Sequence, residues 1–308
     1  MDVAGPHDFL HTKTMRRALR VATLLGHAHV EMAIACLGSL LRYSADPLHL
    51  RIHEDGTLTA SDRERLEASL DRFEFIPRAE ADKRMADLLG GRPVLRAFRQ
   101  ASPFALKLID IPLLANGSVA YCDTDVLFLR PFSGLFRFPG PDVGAIFMSD
   151  HQNAYSLRSW QLLRHPRLGL PGRVNTGIFN FRTRCFDPDL LEWFLSRPEF
   201  GFTPWVEQTA WALLGARAGC RLWHPRMIRM PSPSEESTRE AVALHFITPL
   251  RGLLPRILQR AQDRTAEPPL MLETVPARPC LPWDLGWTEL RRRWQRHARY
   301  DRGPETIA

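Results

Sequence analysis

Two aspartates separated by one residue interrupt a hydrophobic run near the middle of the chain. Residues 119–129 read Val-Ala-Tyr-Cys-Asp-Thr-Asp-Val-Leu-Phe-Leu, so Asp123 and Asp125 stand between apolar segments typical of a buried strand. Ionised carboxylates beside such a strand cost free energy unless a cation or hydrogen bonds compensate them. Carboxylate oxygens suit Mg²⁺ or Mn²⁺, which keep coordination positions open for a substrate's phosphates. The pair therefore indicates metal-assisted phosphate or nucleotide chemistry; the alternative is two turn-capping aspartates.

Length and composition indicate a globular chain. It has 308 residues, of which 44% are hydrophobic and 24% charged, enough for a sizeable core. No run of 18 uncharged apolar residues occurs, and residues 1–15 lack the features of a secretory signal. The five cysteines are scattered without paired spacing, which favours reduced thiols over a disulfide framework or a zinc site. We expect a cytoplasmic protein.

The positive charge of the chain permits an anionic partner. The net charge is +7, with Lys13, Lys83 and Lys107 as the only lysines, so arginine carries nearly all of it. Nucleic acid, an anionic membrane and an anionic small substrate would each suit that charge. Nucleic acid is disfavoured, because the sequence has no aromatic single-strand-binding signature, no paired Cys/His finger and no clear helix-turn-helix.

The elements that must position the aspartates alternate along the first 129 residues. Strands are predicted at 18–25, 48–56, 73–76 and 119–129. Helices are predicted at 29–43, from Thr59 or Ser61 onward, at 80–100 with a break at Gly90-Gly91 and Pro93, and at 103–115. Ser61 and Glu64 are spaced as a capping box. Repeated strand–helix units predict an α/β fold with a largely parallel sheet, which binds ligands at the carboxyl ends of its strands.

The pattern changes in the second half of the chain. Strands are predicted at 142–149, 174–182 and 242–247, and helices at 187–196 and 205–216. Residues 231–237 read as a surface loop, and the proline-rich stretch 265–283 predicts no regular element. We divide the chain into an N-terminal extension (1–17), one α/β domain (18–264) and a C-terminal part (265–308).

The last segment has two interpretations. Residues 284–300 predict a basic helix with Trp287, Leu290 and Trp294 on one face. Such a stripe usually packs onto its own domain. The alternative is that residues 284–308 lie on an anionic lipid surface, at the inner face of the membrane.

Two enzyme classes place an Asp-x-Asp at the end of such a strand. In phosphotransferases of the haloacid-dehalogenase type the first aspartate is a nucleophile, and Thr or Val normally occupies the position of Leu127. That class also needs a late lysine and a second acidic motif, neither of which is evident after Lys107. In nucleotide-sugar glycosyltransferases of the GT-A type, the Asp-x-Asp holds the metal that bridges the donor diphosphate. A third alternative is a protein that binds sugar nucleotides without catalysis.

Five segments occur in an order that is more specific than any one of them. They are the opening strand and helix at 20–43, SPFALKLIDIPLLANGSVAYCDTDVLFL at 102–129, VNTGIFN at 174–180, Glu207-Gln208, and Ala-Leu-His-Phe at 243–246. Together they resemble the retaining GT-A glycosyltransferases of the family-eight type, related to glycogenin and to bacterial lipopolysaccharide galactosyltransferases. The resemblance covers residues 18–255. It implies a Rossmann-like, mixed and mostly parallel sheet flanked by helices.

The resemblance also implies an activity and a set of site residues. The expected reaction is the retaining transfer of a hexose from a nucleotide-diphosphate sugar, UDP-linked, to a glycan or lipid-linked acceptor, with Mn²⁺ or Mg²⁺ as cofactor. Asp123, Asp125 and His245 would bind the metal. The donor would contact Lys107, Asp123, Asp150, Asn175, Thr176, Gly177 and Arg251. Gln208 would stabilise or position the cationic sugar, while Glu207 would hold hydroxyls or, alternatively, act as a covalent nucleophile.

Some residues carry a competing structural interpretation or depart from the family. Lys107 stands where many members have arginine, and its alternative is a chance surface lysine. Asp150 is equally suited to a turn. After the histidine the family often has glycine and Lys-Pro-Trp, whereas this chain has Ile-Thr-Pro-Leu-Arg-Gly at 247–252. The diphosphate-contacting lysine is therefore missing, and Arg251 is the candidate to replace it.

Overall fold

The structure is a computed structural model that describes residues 18–200, 205–231 and 240–300, without side chains for 292–300. The predicted N-terminal extension, most of the predicted loop at 231–237 and the side chain of Trp294 lie outside the described residues.

Strands and helices alternate as expected for an α/β fold. The strands are β1 (Leu19–Leu25), β2 (Leu48–Glu54), β3 (Phe73–Ile76), β4 (Ser118–Cys122), β5 (Val126–Phe128), β6 (Phe132–Ser133), β7 (Ala145–Ser149), β8 (Val174–Arg182), β9 (Cys220–Trp223), β10 (Ile228–Arg229), β11 (Ala243–His245), β12 (Leu270–Met271) and β13 (Thr274–Pro276). The helices are α1 (Val30–Tyr43), α2 (Ala60–Ser69), α3 (Arg78–Leu88), α4 (Pro93–Ala101), α5 (Phe104–Leu108), α6 (Asp110–Leu114), α7 (Ser159–Arg164), α8 (Pro188–Leu195), α9 (Val206–Ala216), α10 (Leu254–Arg260) and α11 (Pro282–Tyr300).

The main sheet has eight strands in the order β13-β9-β7-β8-β4-β1-β2-β3. Strands β1, β2, β3 and β4 run parallel to one another, and β7 is parallel to β9. Strand β8 is antiparallel to both of its neighbours, and β13 is antiparallel to β9. The sheet is therefore mixed and mostly parallel, as predicted.

Successive residues of the central strands are buried on opposite faces of this sheet. Val21, Cys122 and Ile178 pack with α1 and α2 on one face. Tyr121 and Phe179 pack on the other face with the helices α3 to α6, α8 and α9. Because both faces are covered, these strands read as continuous hydrophobic runs in the sequence.

The Asp-x-Asp triplet lies at a junction between two sheets. The predicted strand 119–129 is divided into β4, in the main sheet, and β5, in a three-stranded sheet of order β10-β11-β5. Strand β5 pairs antiparallel with β11, so that Val126 lies opposite His245. The turn that carries Asp123 and Asp125 therefore sits at the carboxyl end of β4, next to the end of β11.

Two predictions about helices need correction. Helix α2 is capped by Thr59 and Asp62, whose side chains each accept from the other's backbone N–H, rather than by Ser61 and Glu64. Ser61 already lies in the first turn of that helix. The predicted helix 103–115 is two short helices, α5 and α6, because Pro112 has no N–H to continue the ladder.

The C-terminal part also differs from prediction. The stretch 265–283 contains β12 and β13, so the prediction of no regular element was wrong. Helix α11 forms as predicted, but Trp287 and Leu290 are exposed, while Leu285 on another face is buried. Neither side chain packs onto the domain. Among the described residues, none of the helices combines the length and hydropathy needed to cross a bilayer.

Candidate functional site

The backbone on each side of the Asp-x-Asp turn is held by a different strand. The N–H of Asp123 donates to the carbonyl of Gly177 in β8 at 2.7 Å, and the carbonyl of Asp125 accepts from the N–H of Phe246 at 2.8 Å. Phe246 directly follows β11. The turn therefore brings β8 and the end of β11, distant in sequence, to one place.

Two carboxylates and one imidazole converge at this turn. The Nε2 atom of His245 lies 3.1 Å from Oδ1 of Asp125 and 3.7 Å from Oδ2 of Asp123. One ligand atom from each of the three residues lies within 4.8 Å of the others. Asp125 and His245 are buried, each about 5% exposed. The three residues predicted as metal ligands are thus brought together.

Asn175 fixes which nitrogen of His245 faces the carboxylates. Its Oδ1 accepts from the N–H of Gly177 at 2.9 Å and lies 3.0 Å from Nδ1 of His245, and its Nδ2 donates to Asp150 at 3.1 Å. Because an amide oxygen can only accept, Nδ1 carries the hydrogen. The Nε2 of a neutral ring is then an open lone pair, the form in which histidine binds metals.

The arrangement fits a divalent cation. The buried Oδ1 of Asp125 has no hydrogen-bond partner, although the Nε2 lone pair of His245 lies 3.1 Å away. Two lone pairs at that distance repel unless a cation or a proton lies between them. Neighbouring ligands in an octahedral shell with bonds of about 2.1 Å are about 3.0 Å apart, so the spacing suits Mg²⁺ or Mn²⁺.

The electrostatics of Asp125 and His245 point the same way. Burial would raise the pKa of Asp125, but His245 and Arg251 lower it to about 2. Burial would lower the pKa of His245, but Asp125 and Asp123 raise it. Asp125 is therefore ionised at neutral pH, and it attracts a proton or a cation to His245.

Gly177 is required by the imidazole that packs on it. A Cβ atom built on Gly177 would collide with Cε1 and Nδ1 of His245. The glycine of the Asn-Thr-Gly sequence on β8 therefore gives His245 the space to reach the turn.

A second polar cluster surrounds Lys107, which is 4% exposed at the end of α5. Its Nζ lies 3.2 Å from both carboxylate oxygens of Asp123, 3.2 Å from Oγ1 of Thr176 and 3.8 Å from Oε1 of Glu207. Burial would lower the pKa of Lys107, but Asp123 and Glu207 raise it. Lys107 is thus a fixed buried cation and not a surface lysine.

Glu207 and Gln208 open helix α9 but face different partners. Glu207 accepts from Thr176 at 3.2 Å, and burial raises its pKa to about 7 although Lys107 opposes the shift. Gln208 donates to the carbonyl of Ala154 at 2.9 Å. The structure thus joins Glu207 to the Lys107 cluster and leaves Gln208 beside it.

Arg251 is in the site, although its partner was not predicted. It lies on a 3-10 helix, Thr248–Leu253, and donates to Oδ2 of Asp125 from Nη2 at 2.8 Å and from Nε at 3.2 Å. Its Nη1 lies 2.9 Å from Nε2 of His29.

Sequence reasoning missed two further residues of the site. His29 lies just after β1 and touches Arg251, and the hydroxyl of Tyr121 donates to Asp123 at 2.6 Å. The position of His29 beyond the carboxyl end of a parallel strand was a usable signal. Tyr121 gave none, because it reads as an ordinary strand residue.

The mixed, mostly parallel sheet flanked by helices is a GT-A fold, the fold class predicted from the sequence. Mouse xyloside xylosyltransferase 1, solved in its apo form, is 13% identical and superposes with a TM-score of 0.52, covering 75% of this chain and 99% of that one. The galactosyltransferase LgtC, solved with donor and acceptor sugar analogs, is also 13% identical, with a TM-score of 0.53 over 81% of this chain and 98% of that one.

One curated relative is detected by sequence. Over 179 residues the chain is 28% identical to Glucoside xylosyltransferase 1 of Rattus norvegicus, which covers 53% of this chain. The match spans 40% of the length of that relative. No protein-family profile matches the chain.

Proposed function

We propose that the protein is a metal-dependent glycosyltransferase that transfers a hexose from a nucleotide-diphosphate sugar, UDP-linked, to a glycan or lipid-linked acceptor. The observation that carries the proposal is the convergence of Asp123, Asp125 and His245 at the carboxyl edge of a GT-A sheet, where the buried Oδ1 of Asp125 has no hydrogen-bond partner. The relatives named above, a xylosyltransferase and a galactosyltransferase among them, support a sugar nucleotide as donor.

Each site residue has a proposed role. Asp123, Asp125 and His245 hold Mn²⁺ or Mg²⁺, which when bound neutralises charge on the leaving diphosphate. The donor is contacted by Lys107, Asp150, Asn175, Thr176, Gly177 and Arg251. Lys107 keeps a fixed positive charge behind Asp123, and Asn175 and Asp150 orient His245 as well as the sugar.

The proposed transfer retains configuration at the sugar. The bond between C1 and the diphosphate oxygen breaks, and the acceptor oxygen bonds to C1 on the same face. The acceptor proton passes to the departing phosphate oxygen, so no strong protein base is needed. Gln208 positions the cationic sugar. Glu207 is held by Thr176 and Lys107, which suits a residue that binds sugar hydroxyls better than a free nucleophile.

The two alternative functions, a phosphotransferase and a non-catalytic binding protein, have less support. A haloacid-dehalogenase-type reaction needs Asp123 as a free nucleophile, whereas both of its oxygens accept from Lys107 and one also accepts from Tyr121. The GT-A fold also favours sugar transfer. A non-catalytic sugar-nucleotide-binding protein would share the site and would differ in turnover alone.

The test combines binding with turnover. We would measure the melting temperature with Mn²⁺ and UDP, and sugar release from UDP-, GDP- and ADP-sugars. At a ligand concentration a hundredfold above Kd the native state gains about 2.7 kcal/mol. Asp125→Asn should lose both signals, while Asp71→Asn, whose side chain is 80% exposed, should keep them. Binding of UDP and Mn²⁺ without release of any sugar supports the non-catalytic alternative. If the protein shows no binding and no sugar release, the proposal is overturned.

We also propose peripheral membrane contact through residues 284–308, which suits a lipid-linked acceptor. Helix α11 exposes Trp283, Trp287 and Leu290 at one-turn spacing, with side chains 61% to 71% exposed. Trp287→Ala with Leu290→Ala should reduce co-flotation with anionic vesicles, whereas Leu88→Ala on α3, also exposed, should not. Equal flotation of all three proteins would contradict the contact.

A further inference from the structure

We propose that Arg251 is an exchangeable counter-charge for Asp125, which competes with the divalent cation and moves to the donor diphosphate when metal and donor bind together. This inference rests on the proposed function, because it assigns a cation and a diphosphate to the site. It concerns how this chain couples the two ligands.

The two oxygens of Asp125 are divided between two neighbours. Oδ1 faces Nε2 of His245 at 3.1 Å, and Oδ2 accepts both Nη2 and Nε of Arg251. Asp125 is 5% exposed, so an ionised carboxylate there needs compensation. The guanidinium of Arg251 supplies it.

Each aspartate of the turn faces a side-chain cation before any ligand arrives. Lys107 is paired with Asp123, and Arg251 with Asp125. A divalent cation entering the site is repelled by both side-chain cations. The metal therefore binds well when one cation leaves or when an anion joins it, and the donor diphosphate is such an anion.

The two cations differ in their freedom to leave. The Lys107 side chain is 5% exposed and is also held by Thr176 and Glu207, whereas the Arg251 side chain is 35% exposed on the 3-10 helix Thr248–Leu253. Lys107 is thus fixed and Arg251 is exchangeable. A guanidinium released from Asp125 can donate in the same way to phosphate oxygens.

His29 is a positioning residue for Arg251. Because a guanidinium can only donate, Nε2 of His29 accepts from Nη1 at 2.9 Å. This contact holds the third nitrogen of the group while the other two bind Asp125. Loss of the His29 acceptor should therefore weaken the hold of Arg251 on Asp125 without altering any proposed metal ligand.

The prediction is a gain in metal affinity. Mn²⁺ binding is measured by electron paramagnetic resonance of free Mn²⁺, with and without UDP. Wild type should bind Mn²⁺ weakly alone and more tightly with UDP. Arg251→Gln should bind Mn²⁺ alone about tenfold more tightly and lose most of the tightening by UDP, within the range of ordinary coupling energies.

Three variants separate charge from structure. Arg251→Lys keeps the charge but loses the fork of donors, so its Mn²⁺ affinity should lie between those of wild type and Arg251→Gln. His29→Ala should shift Mn²⁺ affinity in the same direction as Arg251→Gln but less. Arg256→Gln, an exposed arginine on α10, should change nothing. A merely destabilised site cannot bind metal more tightly. If Arg251→Gln does not fold, the His29→Ala and Arg251→Lys titrations carry the test.

The outcomes distinguish this inference from the proposed function. Unchanged or weaker Mn²⁺ affinity in Arg251→Gln and His29→Ala, in a protein that still transfers sugar, overturns the inference alone. The expected affinities in a protein that turns over no nucleotide sugar support the inference and overturn the proposed activity. If neither wild type nor any variant binds Mn²⁺, the inference is overturned.

Discussion

At the scale of single residues, the orientation of His245 depends on its neighbour Asn175. The amide oxygen holds the hydrogen on Nδ1 and leaves Nε2 toward the two aspartates. The role expected for Asn175 from the sequence was contact with the donor sugar. The structure adds a second role, the orientation of a proposed metal ligand.

This second role predicts the effect of Asn175→Ala on metal binding. Loss of a residue that orients a ligand typically costs 10–100-fold in metal affinity. We expect Mn²⁺ affinity to fall by about that factor even without any sugar nucleotide. Asn116→Ala, at an exposed turn, is the control. Mn²⁺ affinity equal to wild type in Asn175→Ala would mean that the amide does not orient the ring.

The buried carboxyl of Glu207 predicts a dependence of stability on pH. Burial raises its pKa from 4.5 to about 7, so between these values the native state binds more protons than the unfolded state. The free energy of unfolding from this group therefore falls as pH rises through that window. The full effect is up to about 3 kcal/mol.

Glu207→Gln removes this titration. Urea unfolding at several pH values between 5 and 8 without metal should give a flatter profile for the variant than for wild type. The difference between the two profiles isolates Glu207 from other groups, such as buried His53, whose pKa is lowered to about 3. Parallel profiles would show that Glu207 keeps an ordinary pKa.

At the scale of elements, the site depends on the close approach of β8 and β11. Gly177 on β8 faces the imidazole of His245 on β11. The polar residues Asn175 and Thr176 of β8 and His245 of β11 lie where these strands meet the Asp-x-Asp turn. The two strands therefore act as rigid supports for the side chains of Asn175, Thr176 and His245.

Gly177→Ala tests this packing. The added methyl group collides with the ring, so either the imidazole or the backbone must move, at a cost of about 1–3 kcal/mol. We expect at least a tenfold loss of Mn²⁺ affinity together with that destabilisation in urea. Gly91→Ala, with open space around its position, should affect neither. Normal Mn²⁺ binding by Gly177→Ala would place the ring elsewhere.

At the scale of the whole molecule, the C-terminal part joins the main domain. Strand β13 pairs with β9 at the edge of the main sheet, and α11 packs against α7. Leu285 is 2% exposed in the core, whereas Leu290 in the same helix is 64% exposed. The division at residue 264 was a prediction from composition, which does not register these contacts.

The two leucines of α11 provide a matched pair. Leu285→Ala should lower the free energy of unfolding by about 2–5 kcal/mol, because it leaves a cavity in the core. Leu290→Ala should change it by less than about 0.5 kcal/mol. Chemical denaturation measures both. A small effect for Leu285→Ala would show that the helix is not part of the cooperative core.

Local sequence information was sufficient for most of the elements and for the candidate ligands. Because both faces are buried, strands such as 174–182 can be recognised in the sequence as hydrophobic runs. Gly90-Gly91 and Pro93 mark the break between α3 and α4. The Asp-x-Asp pair stands out because ionised residues rarely interrupt such a run. Short strands such as β12 and β13 were not predicted, because they form by pairing with strands that are distant in sequence and not by intrinsic propensity.

The sequence by itself determined the α/β alternation, the strand-end position of Asp123 and Asp125, and the order of the other candidate residues. Tertiary structure alone decided that β4 and β5 belong to different sheets, that Lys107 is paired with Asp123, and that Arg251 reaches Asp125 while His29 contacts Arg251. The physical reason is the difference in sequence range between local propensities and tertiary contacts. Propensity and hydrophobic period act over a few residues, whereas a contact such as Arg251 to Asp125 depends on how sheet order folds distant segments together.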